Sequence, residues 1–299
     1  MTPEEFKTRL DAGPMLLDGG LGTLLMSMGL QPGEAPERWV LDHPELVTAA
    51  HRRYVDAGSD VVHTVTFGAT PTKLAASGLE GTCDEVNRGA VALAREAASD
   101  SVLVAGDVGP TGRFFPPTGE ATTEEMLIDF RAQIEVLARA GVDLISIETM
   151  YDVREAIAAV RAARATGLAV LCSMTFEPRK RGTFTFMGDA LAPSLQALVA
   201  EGATAVGLNC SVTSEAMIAM VEQARKALPD IPIVAQPNAG QPITTPDGIN
   251  YDADPESFAS DLMAMVRAGA RVVGGCCGTD DRFIRAARAQ LLAYGEVRG

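Results

Sequence analysis

The chain repeats one pattern along its length: a short, almost continuously apolar run, a loop, and then an amphipathic segment with helical periodicity. The apolar runs predict eight strands, at residues 15–18, 61–65, 102–106, 144–148, 169–174, 205–209, 231–236 and 271–274. Eight helices are predicted after them, at residues 44–57, 83–98, 123–140, 152–166, 190–201, 214–228, 255–268 and 280–292. Eight strand-then-helix units in 299 residues predict an α/β fold, a single-domain (β/α)8 TIM barrel over residues 1–299.

A doubly wound open sheet is the structural alternative to the barrel. Its dinucleotide-binding form needs a GxGxxG turn after the first strand, and residues 18–23 (DGGLGT) carry their glycines at other spacings. Three long connections, 107–122, 176–189 and 239–254, follow strand ends. Barrels of this kind place their active sites at that end of the strands, so these connections are predicted lids.

Composition excludes several classes of protein. The formal net charge of −14 argues against nucleic-acid binding, which needs cationic side chains opposite the phosphates. No apolar run reaches the ~18 residues that suggest a membrane span, and the first residues lack the pattern of a signal peptide. The five cysteines are an odd number without disulfide-framework spacing. These features predict a cytoplasmic protein, and they leave its oligomeric state open.

Three cysteines follow predicted strands and are expected to meet at one rim of the barrel. Cys210 closes the sixth apolar run, and Cys276 and Cys277 follow the eighth inside a glycine-rich turn. The glycines give the backbone the freedom that two adjacent thiols need to face one metal ion. A vicinal disulfide is the rival interpretation, but it would be strained and the compartment reducing. Cys83 and Cys172 are interpreted as ordinary small buried residues.

A site rich in thiolates suits zinc, and three protein ligands leave one coordination position open. Three thiolates and Zn²⁺ sum to a charge of about −1, and an incoming thiol would lose its proton on binding. The thiolate would then be nucleophilic toward carbon, and attack on a methyl group would give a neutral thioether, which is a poor ligand. The chemistry predicted for Cys210, Cys276 and Cys277 is therefore alkyl transfer to a substrate thiol.

Acidic side chains also end strands, at Asp18 and Glu148. Carboxylates near an anionic metal centre need a cation, and the ammonium group of a thiol amino acid would supply one. Hydrogen bonding to neighbouring loop amides is the alternative role for both. Gly19, directly after Asp18, belongs to a turn whose backbone N–H groups are candidates for binding a substrate carboxylate. Asn238, after strand seven, either occupies the fourth metal position when substrate is absent or stabilises a turn.

The remaining polar residues point to fewer roles. The histidines His43, His51 and His63 are placed away from the cysteine pattern, and His63, within strand two, is interpreted as structural. The four lysines do not end predicted strands, which argues against an aldolase barrel with a Schiff-base lysine.

These motifs resemble the homocysteine S-methyltransferase family. The matching segments are residues 17–23 (LDGGLGT), 64–69 (TVTFGA), 107–112 (DVGPTG), 147–149 (IET), 207–210 (GLNC) and 274–279 (GGCCGT). The resemblance implies a TIM barrel, zinc bound by the cysteines, and homocysteine as the thiol. It also implies that Asp18, Gly19, Thr64 and Glu148 surround the bound amino acid.

Two further segments, residues 174–177 (MTFE) and 236–240 (QPNAG), are similar to the homocysteine-binding module of cobalamin-dependent methionine synthase. In that group the residue matching Asn238 is expected to ligate zinc when homocysteine is absent. The sequence does not identify the methyl donor; if the donor is methylcobalamin, the resemblance implies that another protein carries the corrinoid. Betaine and S-methylmethionine remain alternative donors, although a quaternary ammonium favours an aromatic cage and aromatics form only 5% of this chain. A thiol-accepting subunit of a corrinoid demethylation system and a non-enzymatic structural-zinc barrel are the competing functions.

Overall fold

The computed structural model describes residues 1–245 and 248–298, and it contains a parallel eight-stranded barrel sheet. The barrel strands, numbered β1 to β8 in chain order, are Met15–Leu16, Val61–His63, Leu103–Val108, Leu144–Met150, Ala169–Met174, Ala205–Thr213, Ile233–Asn238 and Ala270–Val273. Each strand pairs in parallel with its neighbours in sequence. β8 pairs with β1, and a single bridge between Leu17 and Val61 joins β1 to β2 and closes the ring.

Eight helices surround the barrel, one after each strand. These barrel helices, α1 to α8, are Pro44–Ala57, Cys83–Ala97, Thr123–Ala140, Val153–Arg164, Leu191–Glu201, Ser214–Ala227, Pro255–Ala268 and Asp281–Arg298. Four end at a left-handed glycine, as helix C-termini often do: Gly58, Gly141, Gly202 and Gly269. The predicted strands and helices are therefore confirmed, with boundaries shifted by a few residues.

Several elements were not predicted from the sequence. A helix at Pro3–Asp11 precedes β1, and its first turn is fixed by a capping box between Thr2 and Glu5. Shorter helical segments are Leu21–Ser27, Pro36–Arg38, Trp39–Asp42 and Pro71–Ala76. Two predicted lid loops contain antiparallel hairpins, formed by Glu177–Arg179 with Gly182–Phe184 and by Pro242–Thr245 with Gly248–Tyr251. Short periodic segments of this kind give too weak a signal to separate from loops.

The barrel interior has an apolar lower layer. Leu17, Val61, Ala105, Leu144, Leu171 and Val234 belong to one buried cluster. Phe6 and Leu10 from the N-terminal helix belong to the same cluster. This helix therefore closes the end of the barrel opposite the carboxyl ends of the strands, which leaves only those ends open for a site.

No helix in the described part of the chain is both long and apolar enough to cross a lipid bilayer.

Candidate metal centre and substrate cavity

The three predicted cysteines meet at the carboxyl ends of the strands. The sulfur atoms of Cys210, Cys276 and Cys277 all lie within 4.8 Å of one another, and the Cys210 and Cys277 sulfurs are 3.8 Å apart. All three are free thiols, each partly buried. Three sulfurs at this spacing form a donor set that a single soft metal ion can bridge, and zinc is the usual ion for such a set.

Unusual backbone geometry brings these sulfurs together. Cys210 and the residue after it, Ser211, have φ angles of 59° and 62°, which non-glycine residues rarely adopt. The turn that carries the adjacent pair is bonded to neighbouring strands, because the Cys276 N–H donates to Pro237 at 2.8 Å and the Ala239 N–H donates to Cys277 at 2.9 Å. Strain of this kind persists only where the surrounding structure fixes it, and here it positions the sulfurs.

Without a metal ion, the electrostatics of the cysteine cluster favour a single thiolate. A bound metal ion would favour more than one thiolate. Hydrogen bonds with the Cys276 and Cys277 sulfurs lower the pKa of Cys210. Hydrogen bonds with the Cys210 and Cys277 sulfurs, followed by burial, raise the pKa of Cys276. Ionising all three sulfurs therefore requires a cation among them, which fits a divalent ion.

Asn209 links the cluster to the neighbouring strands. The sequence placed it at the end of the sixth predicted strand but gave it no role. Its amide oxygen accepts hydrogen bonds from the Thr149 N–H at 2.7 Å and from the Ser173 hydroxyl at 2.8 Å. Its amide nitrogen donates to the Thr149 hydroxyl at 2.7 Å and lies 3.8 Å from the Cys276 sulfur. Because Asn209 precedes Cys210 in β6, this network fixes the strand end that carries the first sulfur.

Asn238 and Tyr251 approach the sulfurs from other elements. Asn238, at the end of β7, hydrogen-bonds to Cys210, and its amide oxygen is a buried atom without a hydrogen-bond partner among the described residues. That arrangement suits the fourth-ligand role predicted for Asn238, which stays a prediction. Tyr251, in the second hairpin, hydrogen-bonds to Cys277, so this predicted lid reaches the cluster.

His63 belongs to the site, although the sequence reasoning placed it elsewhere. Its ring lines the cavity beside the cysteines, with Nδ1 at 2.6 Å from Asp18 and Nε2 at 3.0 Å from the Ser146 hydroxyl. Burial alone would lower the pKa of His63, but Asp18, with help from Glu148 and Asp107, raises it to about 10. The raised pKa favours the protonated ring of His63 at neutral pH. The residue was missed because β2 is apolar on both faces and shows no alternation.

Both carboxylate oxygens of Asp18 are hydrogen-bonded to His63. One oxygen lies 2.6 Å from the ring Nδ1, and the other accepts the backbone N–H of His63 at 2.8 Å. Asp18 is only 1% exposed and does not line the cavity. The predicted contact of Asp18 with a substrate ammonium stays a prediction, and the structure gives this carboxylate a different partner.

Glu148 and Asp107 do line the cavity. Glu148 is bonded through Oε2 to the Gln236 amide at 3.4 Å, and Asp107 has a buried carboxylate oxygen without a hydrogen-bond partner among the described residues. Burial, with the nearby carboxylate as the next cause, raises the pKa of Asp107. Burial also raises the pKa of Glu148. In the sequence, Asp107 was placed at the end of the third predicted strand and within a shared motif, and it was given no role of its own.

Thr64 and Gly19 also line this cavity, and their predicted contact with the substrate stays a prediction. The Thr64 hydroxyl accepts the Asp107 N–H at 3.0 Å and contacts the Thr66 hydroxyl at 2.6 Å. A Cβ atom on Gly19 would lie 2.5 Å from the carbonyl oxygen of Thr279, so no larger residue fits there. The Gly20 N–H is already bonded to that carbonyl at 2.9 Å, so this N–H of the turn is not free to bind a substrate carboxylate.

The cavity has a volume of about 470 Å³ and extends from the cysteines to an apolar outer wall. Leu21, Leu25, Met26, Leu30 and Phe67 contribute to this wall. Glu37 lies at the outer end, where its carboxylate accepts the Gly68 N–H at 2.5 Å. Burial raises the pKa of Glu37, and the positive charge of Lys73 opposes that rise. Among the described residues that line the cavity, Phe67 is the one phenylalanine, tyrosine or tryptophan.

Comparison with known proteins gives the family. Residues 15–291 match the family model described as homocysteine S-methyltransferase. The chain is 33% identical to betaine–homocysteine S-methyltransferase 1 of Danio rerio, over 95% of this chain and 75% of that protein. Its fold matches the metallated form of the homocysteine methyltransferase MmuM from Escherichia coli with a TM-score of 0.78, at 26% identity over 93% of this chain and 96% of that one. The apo form of the same enzyme matches with a TM-score of 0.72.

The chain is therefore a member of the homocysteine S-methyltransferase family, with the TIM-barrel fold and a three-cysteine metal-binding group. Family membership supports a methyltransferase that acts on homocysteine.

Proposed function

We propose that this protein transfers a methyl group to the sulfur of homocysteine and so forms methionine, at a zinc ion held by Cys210, Cys276 and Cys277. The convergence of these three sulfurs beside a cavity carries the proposal. When bound, zinc supplies a positive charge that lowers the pKa of a thiol in its open position and keeps it ionised. A purely structural zinc site would have four closed protein ligands, so an open three-sulfur site beside a cavity favours catalysis.

The protein's own residues fix the amino-acid end of the substrate. Glu148 lines the cavity together with Cys210, and a carboxylate there can bind the ammonium of homocysteine while the thiol faces the cysteines. Thr64 and Gly19 line the same pocket and leave the space that the substrate carbon chain needs.

The donor is proposed to be methylcobalamin carried on another protein. A quaternary ammonium donor such as betaine favours an aromatic cage, whereas the described cavity lining offers a single phenylalanine, Phe67, and no tyrosine or tryptophan. A volume of about 470 Å³ holds homocysteine but not a corrin ring as well, so the corrinoid would meet the thiol at the cavity mouth. The Danio rerio relative is named for betaine. Betaine is not proposed as the donor here because the apolar outer wall of the cavity contains no aromatic residue besides Phe67 among the described residues.

The proposal is tested with zinc-loaded protein and homocysteine. X-ray absorption at the zinc edge should show one added sulfur scatterer when homocysteine is titrated in, and mass spectrometry should detect labelled methionine when a methyl-labelled donor is supplied. A panel of methylcobalamin, betaine, S-methylmethionine and methyltetrahydrofolate should give the highest rate with methylcobalamin. An unchanged sulfur count with homocysteine would overturn the acceptor assignment, and a higher rate with betaine would overturn the donor assignment.

A further inference from the structure

Each sulfur of the cysteine cluster accepts a hydrogen bond from a group outside the cluster. The donor and acceptor pairs are the Ser211 N–H with Cys210, the Asn209 amide with Cys276 at 3.8 Å between nitrogen and sulfur, and the Tyr251 hydroxyl with Cys277. The backbone N–H and the hydroxyl carry one proton each, and the second N–H of the Asn209 amide is used by the Thr149 hydroxyl. The sulfur of an incoming thiol therefore does not share these donors.

Tyr251 is held against the turn that carries Cys277. It stands at the base of the second hairpin, where it pairs with Pro242. Its ring packs on Gly278, where an added Cβ atom would lie 2.2 Å from the ring, and the φ angle of 81° at Gly278 also favours glycine. Tyr251 is half-buried and is not among the residues that line the cavity, whereas Cys277 is. The hydroxyl therefore reaches the sulfur without taking up substrate space.

A hydrogen bond to a thiolate lowers the reactivity of the sulfur toward carbon. The donor stabilises the negative charge on sulfur, which makes the thiolate less basic. The nucleophilicity of a thiolate falls with its basicity, with a coefficient of about 0.4–0.5. In the proposed reaction a substrate thiolate stands beside three cysteine thiolates, and each of these sulfurs could attack the same methyl group. Methylation of a cysteine would turn a metal ligand into a neutral thioether.

We propose that Tyr251 is a specificity-determining residue, whose hydroxyl withdraws charge from the Cys277 sulfur so that the methyl group goes to the substrate thiolate and not to Cys277. This role rests on the proposed function, because it takes methyl transfer to a thiol as the reaction. Asn209 and Ser211 protect the other two sulfurs in the same way.

Methyl iodide is the probe that tests this role. A thiolate attacks its carbon directly, so that an S–CH₃ bond forms, the C–I bond breaks and iodide leaves with the electron pair. Zinc-loaded protein without homocysteine is treated with a limiting amount of methyl iodide. Mass spectrometry of peptides then measures methylation separately at the sulfurs of Cys210, Cys276 and Cys277.

Tyr251→Phe removes the hydroxyl and keeps the ring on Gly278. Loss of one hydrogen bond to a charged group changes the basicity of the thiolate by about 10- to 100-fold. With the coefficient above, methylation at Cys277 should rise about 3- to 10-fold relative to methylation at Cys210. Cys210 is the internal reference, because its donor, the Ser211 N–H, is unchanged in this variant.

Tyr151 provides the matched control. It is also half-buried, follows β4 at the same end of the barrel and packs on Phe114 with ring centroids 5.8 Å apart. It is not among the residues that line the cavity. Tyr151→Phe should keep the ratio of Cys277 to Cys210 methylation at the unmodified value, and zinc content is measured in both variants.

Each outcome decides the role of Tyr251. A ratio that rises in Tyr251→Phe alone, at full zinc content, supports it. An unchanged ratio, including an absence of methylation at Cys277, would overturn it and leave the proposed function intact, and so would an equal rise at all three sulfurs. A loss of zinc in Tyr251→Phe would also overturn it, because the hydroxyl would then be needed for metal binding. If homocysteine adds no sulfur scatterer at the zinc edge, the proposed function fails and this role fails with it.

Discussion

The barrel interior has a lower half next to the N-terminal helix and an upper half at the carboxyl ends of the strands. Both halves are built from the same strands, but the lower half is apolar and the upper half is polar. Residues on one inward face change character within two positions along a strand, since Val61 is followed by His63 and Leu171 by Ser173. The lower half packs against the N-terminal helix as an apolar core. The upper half holds charged and polar groups whose partners come from other strands. The comparison shows that the lower half stabilises the fold, whereas the upper half positions polar groups that burial alone would disfavour.

The largest effect is expected where the upper half ends, at the sulfurs. Cys276→Ser should abolish stoichiometric zinc and reduce methyl transfer by more than about 100-fold, because loss of a ligand exceeds the 10- to 100-fold effect of losing a residue that only supports one. Metal analysis by mass spectrometry and a methionine assay measure the two effects. Cys172→Ala is the matched control, since Cys172 is a fully buried residue of the core outside the cysteine cluster. Unchanged zinc content in Cys276→Ser would contradict the metal assignment.

A smaller effect is expected at the ion pair of the upper half. His63→Gln leaves Asp18 buried without its cation, so the free energy of unfolding should fall by about 4 kcal/mol near pH 6. The pKa of His63 is raised from 6.5 to about 10 in the folded protein, so its stabilisation is complete below about pH 6.5 and is lost as pH rises through about 10.

Urea unfolding of both proteins between pH 6 and pH 10 measures this dependence. The difference in unfolding free energy between the unmodified protein and His63→Gln should shrink steadily over that range. A difference that stays constant or grows with pH would show that His63 is not charged in the folded state.

The smallest effect on function is expected in the lower half. Leu171 is 2% exposed inside the apolar cluster, and Leu171→Ala should reduce the free energy of unfolding by about 3 kcal/mol through the cavity it leaves. Zinc content and homocysteine affinity should remain close to those of the unmodified protein, because the substitution lies below the polar layer. Chemical denaturation and calorimetry test both statements. Loss of zinc in a variant that remains folded would show that the two halves are coupled.

Much of the fold was predictable because each barrel element carries its own signal. Continuous apolar runs followed by amphipathic segments gave the eight strands and eight helices, and local motifs gave the three cysteines. The N-terminal helix and the hairpins lacked such a signal, because their stability comes from packing against distant parts of the chain.

The site was predictable only in part, because residue types and strand ends can be read from the sequence but contacts cannot. The sequence by itself determined that Cys210, Cys276 and Cys277 would stand at strand ends, and that Glu148 would stand near them. Only the tertiary structure decided that His63 pairs with Asp18, a residue 45 positions away, and that one buried carboxylate oxygen of Asp107 has no hydrogen-bond partner among the described residues. The physical reason is that closure of the sheet and its register bring these groups within hydrogen-bond distance, and neither is encoded in any local stretch of sequence.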